Sequence, residues 1–296
     1  MNIEQAQTFL QVVAIGNFLG AAEKLHVTQS TVSARIQNLE RKLGAKLFTR
    51  GKQGAALTAA GQRFVRHAQT LVRTADIAKQ DVGLPDEYAG GLTVSGRIAL
   101  WEGFLPQWVA WMREAAPTIS LRMEIGFEQD IMNGLVQNTL DIGLMYTPEA
   151  RPGLGLERLF DETLILVTTD RKRAWPDPGY VQADWGTEFF HQFSIHFPDH
   201  PAPALSANIG WLGIQQLMTS GGSGYFPLRM VRPLLAEKRL YRMPDTPHFV
   251  QTAYMVYSLS RNDAFLEKAL AGLRILGREE RRGQTVMTAD NSQNDG

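Results

Sequence analysis

The clearest hydrophobic pattern in the first fifty residues consists of two short amphipathic segments with a break between them. The first predicts a helix over residues 18–25, whose inner side carries Ala21, Ala22 and Leu25. The second predicts a helix that begins after Thr28, because the threonine hydroxyl can accept a hydrogen bond from an amide of the next turn. Its apolar residues are spaced by four, three and four positions, as one face of a helix requires. These residues are Val32, Ile36, Leu39 and Leu43.

The opposite face of the second helix carries slim, hydrogen-bonding or basic side chains and few carboxylates. A helix that is packed on one side and has such a face on the other fits the major groove of DNA; an ordinary surface helix pair is the alternative. The first turn would meet the base edges, so we expect Gln29, Ser30 and Ser33 to read them. The complete set of predicted DNA-binding residues is Thr28, Gln29, Ser30, Thr31, Ser33, Ala34, Arg35, Gln37, Arg41, Arg50 and Lys52.

A basic loop that contains glycines follows the second helix. Arg50 and Lys52 lie beside Gly51 and Gly54, which permit the positive backbone angles of a tight hairpin. The two apolar residues at positions 47 and 48 are expected to pack into a small core. The hairpin would bring two cations to the DNA backbone or the minor groove; a solvated basic loop is the alternative. Together these elements predict a winged helix-turn-helix domain over residues 1–57.

A longer amphipathic helix is predicted after Thr58, which is again a favourable N-cap. Its apolar positions alternate at spacings of four and three for nearly three heptads, as in a coiled-coil seam. About 25 helical residues span roughly 37 Å, and so narrow a seam favours pairing with the helix of a second subunit. We predict a linker and dimerisation helix over residues 58–84 and a flexible hinge over residues 85–91, which contains Gly90 and Gly91. The seam residues are Phe64, Ala68, Leu71, Ala75, Ala78 and Val82.

The chain of 296 residues is long enough for two or three domains, and no apolar run reaches the length of a membrane span. Its N-terminus shows no signal peptide, and the absence of cysteine excludes disulfides and thiolate metal sites. The net charge of zero hides an asymmetry, since residues 1–80 hold eleven Lys or Arg against four Asp or Glu and the remainder is acidic. A basic N-terminal part followed by an acidic remainder suits a cytoplasmic protein that contacts nucleic-acid phosphates with its N-terminal part.

From residue 92 the pattern changes to an alternation of strands and helices, which predicts a parallel sheet with crossover helices. The predicted strands lie near residues 92–95, 119–125, 141–145, 164–167, 193–196, 224–226 and 254–258. The predicted helices lie near residues 100–112, 130–138, 208–220 and 263–276. After residue 279 the chain is polar and lacks periodicity, so the tail over residues 280–296 is predicted to be disordered.

Residues 1 to about 90 resemble the DNA-binding half of LysR-type transcriptional regulators. Two positions depart from the family pattern, because Ser30 stands where the family often has proline and Ala34 where it often has arginine. The base preferences of other members are therefore not carried over to this chain. The resemblance rests on Phe9, Phe18, Ala21, Ala22 and Ile36, and on the runs at residues 25–30, 32–33, 39–40, 43–44, 47–50 and 57–61.

The rest of the chain resembles, more loosely, the effector-sensing domain of the same family. The matching residues are Gly96, Pro117, Gly126, Gly222, Pro227 and the runs at residues 105–106 and 140–143. The resemblance implies an α/β fold of the periplasmic-binding-protein type, with lobe one over about residues 92–161 and 263–279 and lobe two over about residues 162–262. The implied fold class is α+β and multidomain: a winged helix-turn-helix, a linker helix and a two-lobed effector domain. Because the chain crosses twice between the lobes, a ligand in the cleft can bias a hinge.

Candidate ligand-binding residues follow from the predicted sheet. Ligands gather at the C-terminal ends of parallel strands, where helix N-termini offer free amides and positive dipole ends. Ser95, Arg97 and the amides near residues 99–100 are placed to hold a carboxylate, and the nearby aromatic residues to pack an apolar body; core packing is the alternative for each side chain. The predicted effector-binding residues are Ser95, Gly96, Arg97, Trp101, Phe127, Tyr146, Phe197 and Gly222.

No enzymatic motif is visible, and the sequence predicts neither a cofactor nor a metal site, since His191, His196 and His200 do not share one face. We predict a transcriptional regulator that binds operator DNA as a homodimer or homotetramer and responds to a small-molecule effector, with a carboxylate favoured. RNA polymerase is a further candidate partner, and no membrane contact is expected. Two alternatives remain: an architectural DNA-binding protein without an effector, and a solute-binding or enzymatic α/β protein whose N-terminal helices only mediate assembly.

Overall fold

The computed structural model describes residues 1–51 and 54–290, which divide into two compact units between Glu87 and Tyr88. The first unit contains four helices and one hairpin. They are α1 (Ile3–Ile15), α2 (Phe18–Lys24), α3 (Gln29–Leu43), β1 (Phe48–Gly51), β2 (Gly54–Leu57) and α4 (Ala59–Val82). In the described part of the chain, no helix combines the length and the apolar character needed to cross a bilayer.

Each helix of the first unit begins at a polar side chain that accepts a hydrogen bond from a free amide of the first turn, which satisfies a donor that the helix itself cannot pair. Thr28 accepts from the Thr31 amide at 3.2 Å and Thr58 from the Gly61 amide at 2.9 Å, so both predicted caps are confirmed. The two remaining caps are Asn2, which forms a capping box with Gln5, and Asn17, which accepts from Gly20.

A small aromatic core holds the first unit together. The ring centroid of Phe9 in α1 lies 5.2 Å from that of Phe48 in β1 and 5.0 Å from that of Phe64 in α4. The apolar side of α3 is buried against this core as predicted, except that Leu43 at the end of the helix is 40% exposed. The hairpin is fixed to α1, because the Ala55 amide donates to the Gly16 carbonyl at 2.8 Å.

The predicted seam of α4 divides into two parts. Phe64 and Ala68 are buried in the core of their own unit, so their assignment to a contact between subunits was wrong. Beyond them Leu71 is 37% exposed and Val82 is 89% exposed. The apolar face therefore serves the fold at its start and is uncovered towards its end.

The second unit is built from nine strands and seven helices in the described residues. Its strands are β3 (Gly90–Gly96), β4 (Ile119–Ile125), β5 (Ile142–Met145), β6 (Leu154–Thr168), β7 (Val181–Ala183), β8 (Leu205–Ala207), β9 (Ser223–Pro227), β10 (Tyr241–Arg242) and β11 (Phe249–Ser258). Its helices are α5 (Ile98–Trp101), α6 (Leu105–Ala115), α7 (Glu128–Val136), α8 (Thr187–His196), α9 (Gly210–Ser220), α10 (Leu228–Ala236) and α11 (Ala264–Asp290).

A seven-stranded mixed sheet runs through this unit in the order β10-β6-β11-β5-β3-β4, with β9 also paired to β6. Strands β4, β3 and β5 are parallel, as predicted, whereas every pair that involves β6 or β11 is antiparallel. The prediction of a wholly parallel sheet was therefore wrong for this half. In this half, β6 and β11 are long strands that pair with each other, and they lie between β10 and β5 in the sheet.

Four predicted elements need correction. Residues 193–196 belong to helix α8 rather than to a strand, because Phe189 and Phe193 recur at helical spacing and are both buried. The single helix predicted over residues 100–112 is two helices, separated near Gly103, whose φ is +101°. Gly90 and Gly91 pair with β4 and do not form a flexible joint.

The fourth correction concerns the C-terminus, where a disordered tail was predicted from residue 280. Helix α11 instead continues to Asp290, and residues 291–296 lie outside the described residues. Contacts to the long strand β6 hold the helix: Arg274 pairs with Glu157 at 2.6 Å, and the Arg281 Nε donates to the Leu159 carbonyl at 2.7 Å. Arg281, which the sequence pattern assigned to a disordered tail, thus has a partner in the fold.

Candidate functional site

The outward side of helix α3 is the first candidate site. Three inward residues of the helix are buried, whereas the outward set is exposed, with Ser33 and Thr31 half-buried at its margins. At its start the hydroxyl of Thr28 lies 2.8 Å from that of Ser30 and 2.9 Å from that of Thr31. The exposed side chains of this face are Gln29, Ser30, Ala34, Gln37 and Arg41.

Arg35 does not belong to this face, contrary to the prediction. Its guanidinium donates to the Thr8 hydroxyl at 3.3 Å and lies 3.4 Å from the Glu4 carboxylate, both in α1. Position 35 follows Val32 by three residues, which places it on the flank of the buried side. Arg35 therefore joins α3 to α1 in this structure.

A groove of about 350 Å³ lies beside the α3 face and is lined in part by Ser33, Gln37 and Lys46. Its floor contains the buried carboxylate of Glu40, which accepts from Lys46 Nζ and from the Leu47 amide, each at 2.8 Å. Burial alone would raise the pKa of Glu40, but these hydrogen bonds outweigh it and the pKa is lowered. This role of Glu40 was not predicted, although a carboxylate next to the apolar stripe of α3 was a visible signal.

The wing is the hairpin of β1 and β2, which pair in register from Phe48 opposite Leu57 to Gly51 opposite Gly54. Gly54 has a φ of +115°, and a Cβ atom there would lie 2.5 Å from the Gly16 carbonyl oxygen, so the position requires glycine. The predicted DNA-binding residue Arg50 has its backbone in β1, and Lys52 lies outside the described residues. The predicted contact of Lys52 with DNA stays a prediction.

A cleft of about 240 Å³ in the second unit is the second candidate site. Two sets of elements face each other across it. One side, which we call the α5 side, carries the residues of and near α5, α7 and β5: Arg97, Ile98, Ala99, Phe127, Glu128, Tyr146 and Thr147. The other, which we call the α8 side, carries those of and near α8, α9 and β11: Asp184, Trp185, Gly186, Thr187, Asn208, Gly210 and Gln251.

Three of the eight predicted effector-binding residues line this cleft: Arg97, Phe127 and Tyr146. The Arg97 Nε lies 3.3 Å from the Glu128 carboxylate, and its guanidinium stacks 4.8 Å from the centre of the Phe127 ring. The Phe127 ring is 53% exposed. Arg97 thus forms an ion pair and also borders the cleft.

Ser95, Gly96 and Trp101 do not line this cleft, because each of these residues packs beneath it, and their predicted role in effector binding stays a prediction. Ser95 is buried in β3. A Cβ atom at Gly96 would lie 2.6 Å from a methyl group of Leu105. The indole nitrogen of Trp101 donates to the Glu124 carbonyl at 2.9 Å and so holds β4.

Phe197 and Gly222 also lie outside the lining of this cleft, and their predicted role in effector binding stays a prediction. Phe197 packs against Trp175 and Phe193 in an aromatic cluster, with both pairs of ring centroids 5.0 Å apart. Gly222 lies at a turn with a φ of +128°, and a Cβ atom there would lie 2.2 Å from the Gly179 carbonyl oxygen. Its glycine is a requirement of the backbone and not of a ligand.

A buried charged network adjoins the α5 side and was not predicted. Tyr146 donates its hydroxyl proton to Glu162 in β6, and burial together with the nearby carboxylate raises the pKa of Tyr146. The other Glu162 oxygen accepts from the Arg229 Nε at 2.9 Å, and an Arg229 Nη donates to the Ala99 carbonyl at 2.9 Å. The network therefore joins a cleft residue to the strand and to the helix α10.

Helix N-termini converge on the cleft. The first residues of α5 and α7 and the residues that begin α8 and α9 all line it. Free amides and positive dipole ends at these positions favour a group that carries negative charge. Among the residues that the structure describes, no cluster of three or more His, Asp or Glu side chains is arranged to hold a metal ion.

Comparison with known proteins identifies both units. The family model described as "Bacterial regulatory helix-turn-helix protein, lysR family" matches residues 3–62, and the model described as "LysR substrate binding domain" matches residues 85–274. Among solved structures, CbnR, a LysR family transcriptional regulator, has a TM-score of 0.70 at 18% identity and covers 94% of this chain and 99% of its own. Vibrio fischeri DarR in complex with DNA has a TM-score of 0.59 at 20% identity, with 93% and 99% covered.

Curated relatives extend the likeness over most of the sequence. The HTH-type transcriptional regulator HdfR of Yersinia enterocolitica is 30% identical over 270 residues, which are 87% of this chain and 90% of that protein. HdfR of Yersinia pestis has the same identity and coverage. The chain therefore belongs to the LysR family of transcriptional regulators, with a helix-turn-helix domain followed by a substrate-binding domain.

Proposed function

We propose that this LysR-type regulator binds operator DNA through the outward face of α3 and the wing, and that a small ligand in the cleft of the second unit controls the binding. The observation that carries the proposal is the exposure of a slim, polar face on α3, whose buried side is fixed by an aromatic core. Such a helix offers hydrogen-bonding groups to base edges while its position stays defined. The excess of seven positive charges over residues 1–80 supports contact with phosphates.

A salt titration of DNA binding tests the first part. Full-length protein is titrated onto labelled DNA from the region upstream of its own gene and onto a shuffled sequence of equal composition, at several salt concentrations. We expect the logarithm of the association constant to fall linearly with that of the salt, with a slope of roughly −0.9 per phosphate neutralised, and tighter binding to the upstream region. Equal, salt-insensitive or absent binding to both DNAs would reject DNA recognition.

The uncovered end of α4 supports a homodimer or homotetramer in which helices of two subunits pair. Leu71→Lys places an ammonium group on the apolar face that Ala75, Ala78 and Val82 continue. Burying that charge without a partner is costly, so light scattering should show smaller particles. Operator affinity should fall about a hundredfold or more, because two linked DNA-binding domains become separate ones that bind independently. Gln69→Lys, at an exposed position of the same helix, is the matched control; an unchanged particle size for Leu71→Lys would reject this pairing.

The cleft supports a small ligand with a carboxylate group, since Arg97 and several helix N-termini border it. Thr147→Trp and Thr187→Trp, one from each side, place an indole in the cleft at exposed positions. Both variants should keep DNA binding and lose the response of a reporter gene to its inducing condition. A normal response in both variants would place the ligand elsewhere, or would favour an architectural DNA-binding protein without an effector. A contact with RNA polymerase stays a prediction.

A further inference from the structure

The charged side chains around the cleft do not suit a ligand that carries only a carboxylate. Among the lining residues that the structure describes, Arg97 is the one cation, against the two carboxylates of Glu128 and Asp184. Arg97 also lies 3.3 Å from Glu128, which offsets part of its charge. One negative charge therefore remains in excess, and a bare anion would meet that charge on entering.

Charged and polar groups line both sides of the cleft. The α5 side presents the Arg97 guanidinium, the Glu128 carboxylate and the amides at the start of α7. The α8 side presents the exposed carboxylate of Asp184, one oxygen of which accepts from the Gly186 amide at 2.9 Å. It also presents Gln251, whose side-chain nitrogen donates to the Trp185 carbonyl at 2.6 Å.

The oxygen of the Gln251 side-chain amide indicates which kind of group a ligand would present to this side. This Oε1 atom is buried and accepts no hydrogen bond in the structure. Buried acceptors in proteins are nearly always paired, because leaving one unsatisfied forfeits its hydration without compensation. Gln251 and Asp184 both line the α8 side, so this side offers acceptors to a ligand that carries a donor group.

We propose that the cleft binds a zwitterion of the α-amino-acid type, with its carboxylate towards Arg97 on the α5 side and its ammonium towards Asp184 and Gln251 on the α8 side. This inference rests on the proposed function, because it takes the cleft as the ligand site. The carboxylate of such a ligand pairs with Arg97, and its ammonium offsets the charge of Asp184. It can bridge the cleft, because each of its ends finds a partner on a different side.

The size and lining of the cleft narrow the ligand further. A cleft of about 240 Å³ is smaller than the roughly 300–1,000 Å³ of pockets that hold drug-sized ligands, so it suits a small molecule. The exposed ring of Phe127 at the rim and the largely buried indole of Trp185 in the wall provide apolar surface. An amino acid with an uncharged side chain of small to medium size fits this description.

Three matched series of compounds test the proposal on the full-length protein. They are the twenty common L-amino acids, the same compounds without the amino group, and the same compounds without the carboxyl group. Binding is followed by tryptophan fluorescence, to which Trp185 in the cleft wall contributes, and by the melting temperature. We expect at least one amino acid to bind at least tenfold more tightly than both of its counterparts.

The variant Asp184→Asn sharpens the test, because it removes the charge and keeps an oxygen that can accept from Gly186. Affinity for the amino acid should fall about tenfold to a hundredfold, as expected for losing a hydrogen bond to a charged group, while affinity for the carboxylate without the amino group should rise. Asp199→Asn, an exposed change outside the cleft lining, is the matched control and should leave the selectivity unaltered.

Failure of this inference differs from failure of the proposed function. If a carboxylate without an amino group binds as tightly as the amino acid, the zwitterion is rejected and the cleft remains the effector site. If no member of any series binds, the zwitterion is likewise rejected. If in addition Thr147→Trp and Thr187→Trp leave gene regulation unaltered, the cleft itself is rejected as the effector site.

Discussion

The two units differ in how far apart along the sequence their functional residues lie. In the first unit the candidate DNA-reading residues occupy one helix of 15 residues, and its hydroxyl cap and buried stripe are encoded within the same segment. In the second unit the cleft draws its lining from six separate stretches between Arg97 and Gln251. A local pattern can therefore specify the first site, whereas the second exists only once the long strands β6 and β11 have brought distant segments together.

The composition of the chain lets experiments separate the two units. All six tryptophans and all seven tyrosines lie at or after Tyr88. Tryptophan fluorescence therefore reports on the second unit alone, whereas DNA affinity reports mainly on the first unit. Each variant below is expected to disturb one of these signals more than the other.

The largest expected effect comes from breaking the buried pair of Arg229 and Glu162, whose charged atoms are nearly inaccessible to solvent. Arg229→Met leaves a buried carboxylate without its cation and should lower the free energy of unfolding by about 3–5 kcal/mol. Urea denaturation followed by tryptophan fluorescence measures this loss. The double variant with Glu162→Gln should recover most of it, and Arg239→Met, at an exposed arginine, should cost little. If the single and double variants are equally unstable, the pair does not act as a charged unit.

The second effect concerns DNA. Ser33→Glu adds a carboxylate at the margin of the α3 face, where it would meet the phosphate charge of a bound duplex. Operator affinity should fall about a hundredfold, since like charges brought together at an interface cost several kcal/mol. The tryptophan signal and the helical circular dichroism should stay unchanged. Gln69→Glu on α4 adds the same charge as a control, and equal losses in both variants would mean that net charge, rather than this face, governs binding.

A third, smaller effect is a pH dependence in the second unit. Burial raises the pKa of Glu102 to about 7, with the negative charge of Glu162 adding to the shift and Arg229 opposing it. Between pH 4.5 and 7 the folded carboxyl keeps a proton that the unfolded chain releases, so its contribution to stability is lost as the pH rises.

Glu102→Gln removes this titration. The variant should match the wild type at pH 4.5 and exceed its stability at pH 8 by about 1–2 kcal/mol, a range reduced for solvent screening at a partly buried group. Tryptophan-detected denaturation at both pH values measures the difference. Glu114→Gln, at an exposed position, is the control, and a gain for Glu102→Gln that is equal at both pH values would contradict the raised pKa.

The smallest effect lies in the first unit. Thr28→Ala removes the hydroxyl that caps α3 and should lower the stability of this unit by about 1 kcal/mol. Because the unit contains no tryptophan, circular dichroism at 222 nm should detect the change while tryptophan fluorescence does not. Thr74→Ala, at an exposed interior position of α4, should cost nothing. A loss seen equally by both probes would show that the two units unfold together.

The elements of the first unit could be predicted because their signals are local. Thr28 and Thr58 mark helix starts by hydrogen bonds within three residues, and Val32 and Leu39 share one face by spacing alone. Arg35 was misplaced because its partners lie in α1, some 27 or more positions earlier in the sequence, and no local pattern points to them.

The cleft could be predicted only at its general location. Strand ends on the α5 side were identified, but Ser95 was taken for a lining residue although its side chain is buried in β3. Asp184 and Gln251 were missed because nothing in their neighbourhood indicates which distant residues they face. Helix α8 was missed for a different reason: the spacing of Phe189 and Phe193 was a helical signal that a short β-like run of residues obscured.

Selection of bound sequences from a random DNA pool tests the central claim most directly, namely that the outward face of α3 reads bases. We expect the wild type to enrich an inverted repeat with half-sites about one helical turn, or a multiple of it, apart. Gln29→Ala should enrich a repeat that has lost preference at one position of each half-site. A selected pool without a shared sequence motif from the wild type, or a variant that enriches the same motif as the wild type, would contradict the account.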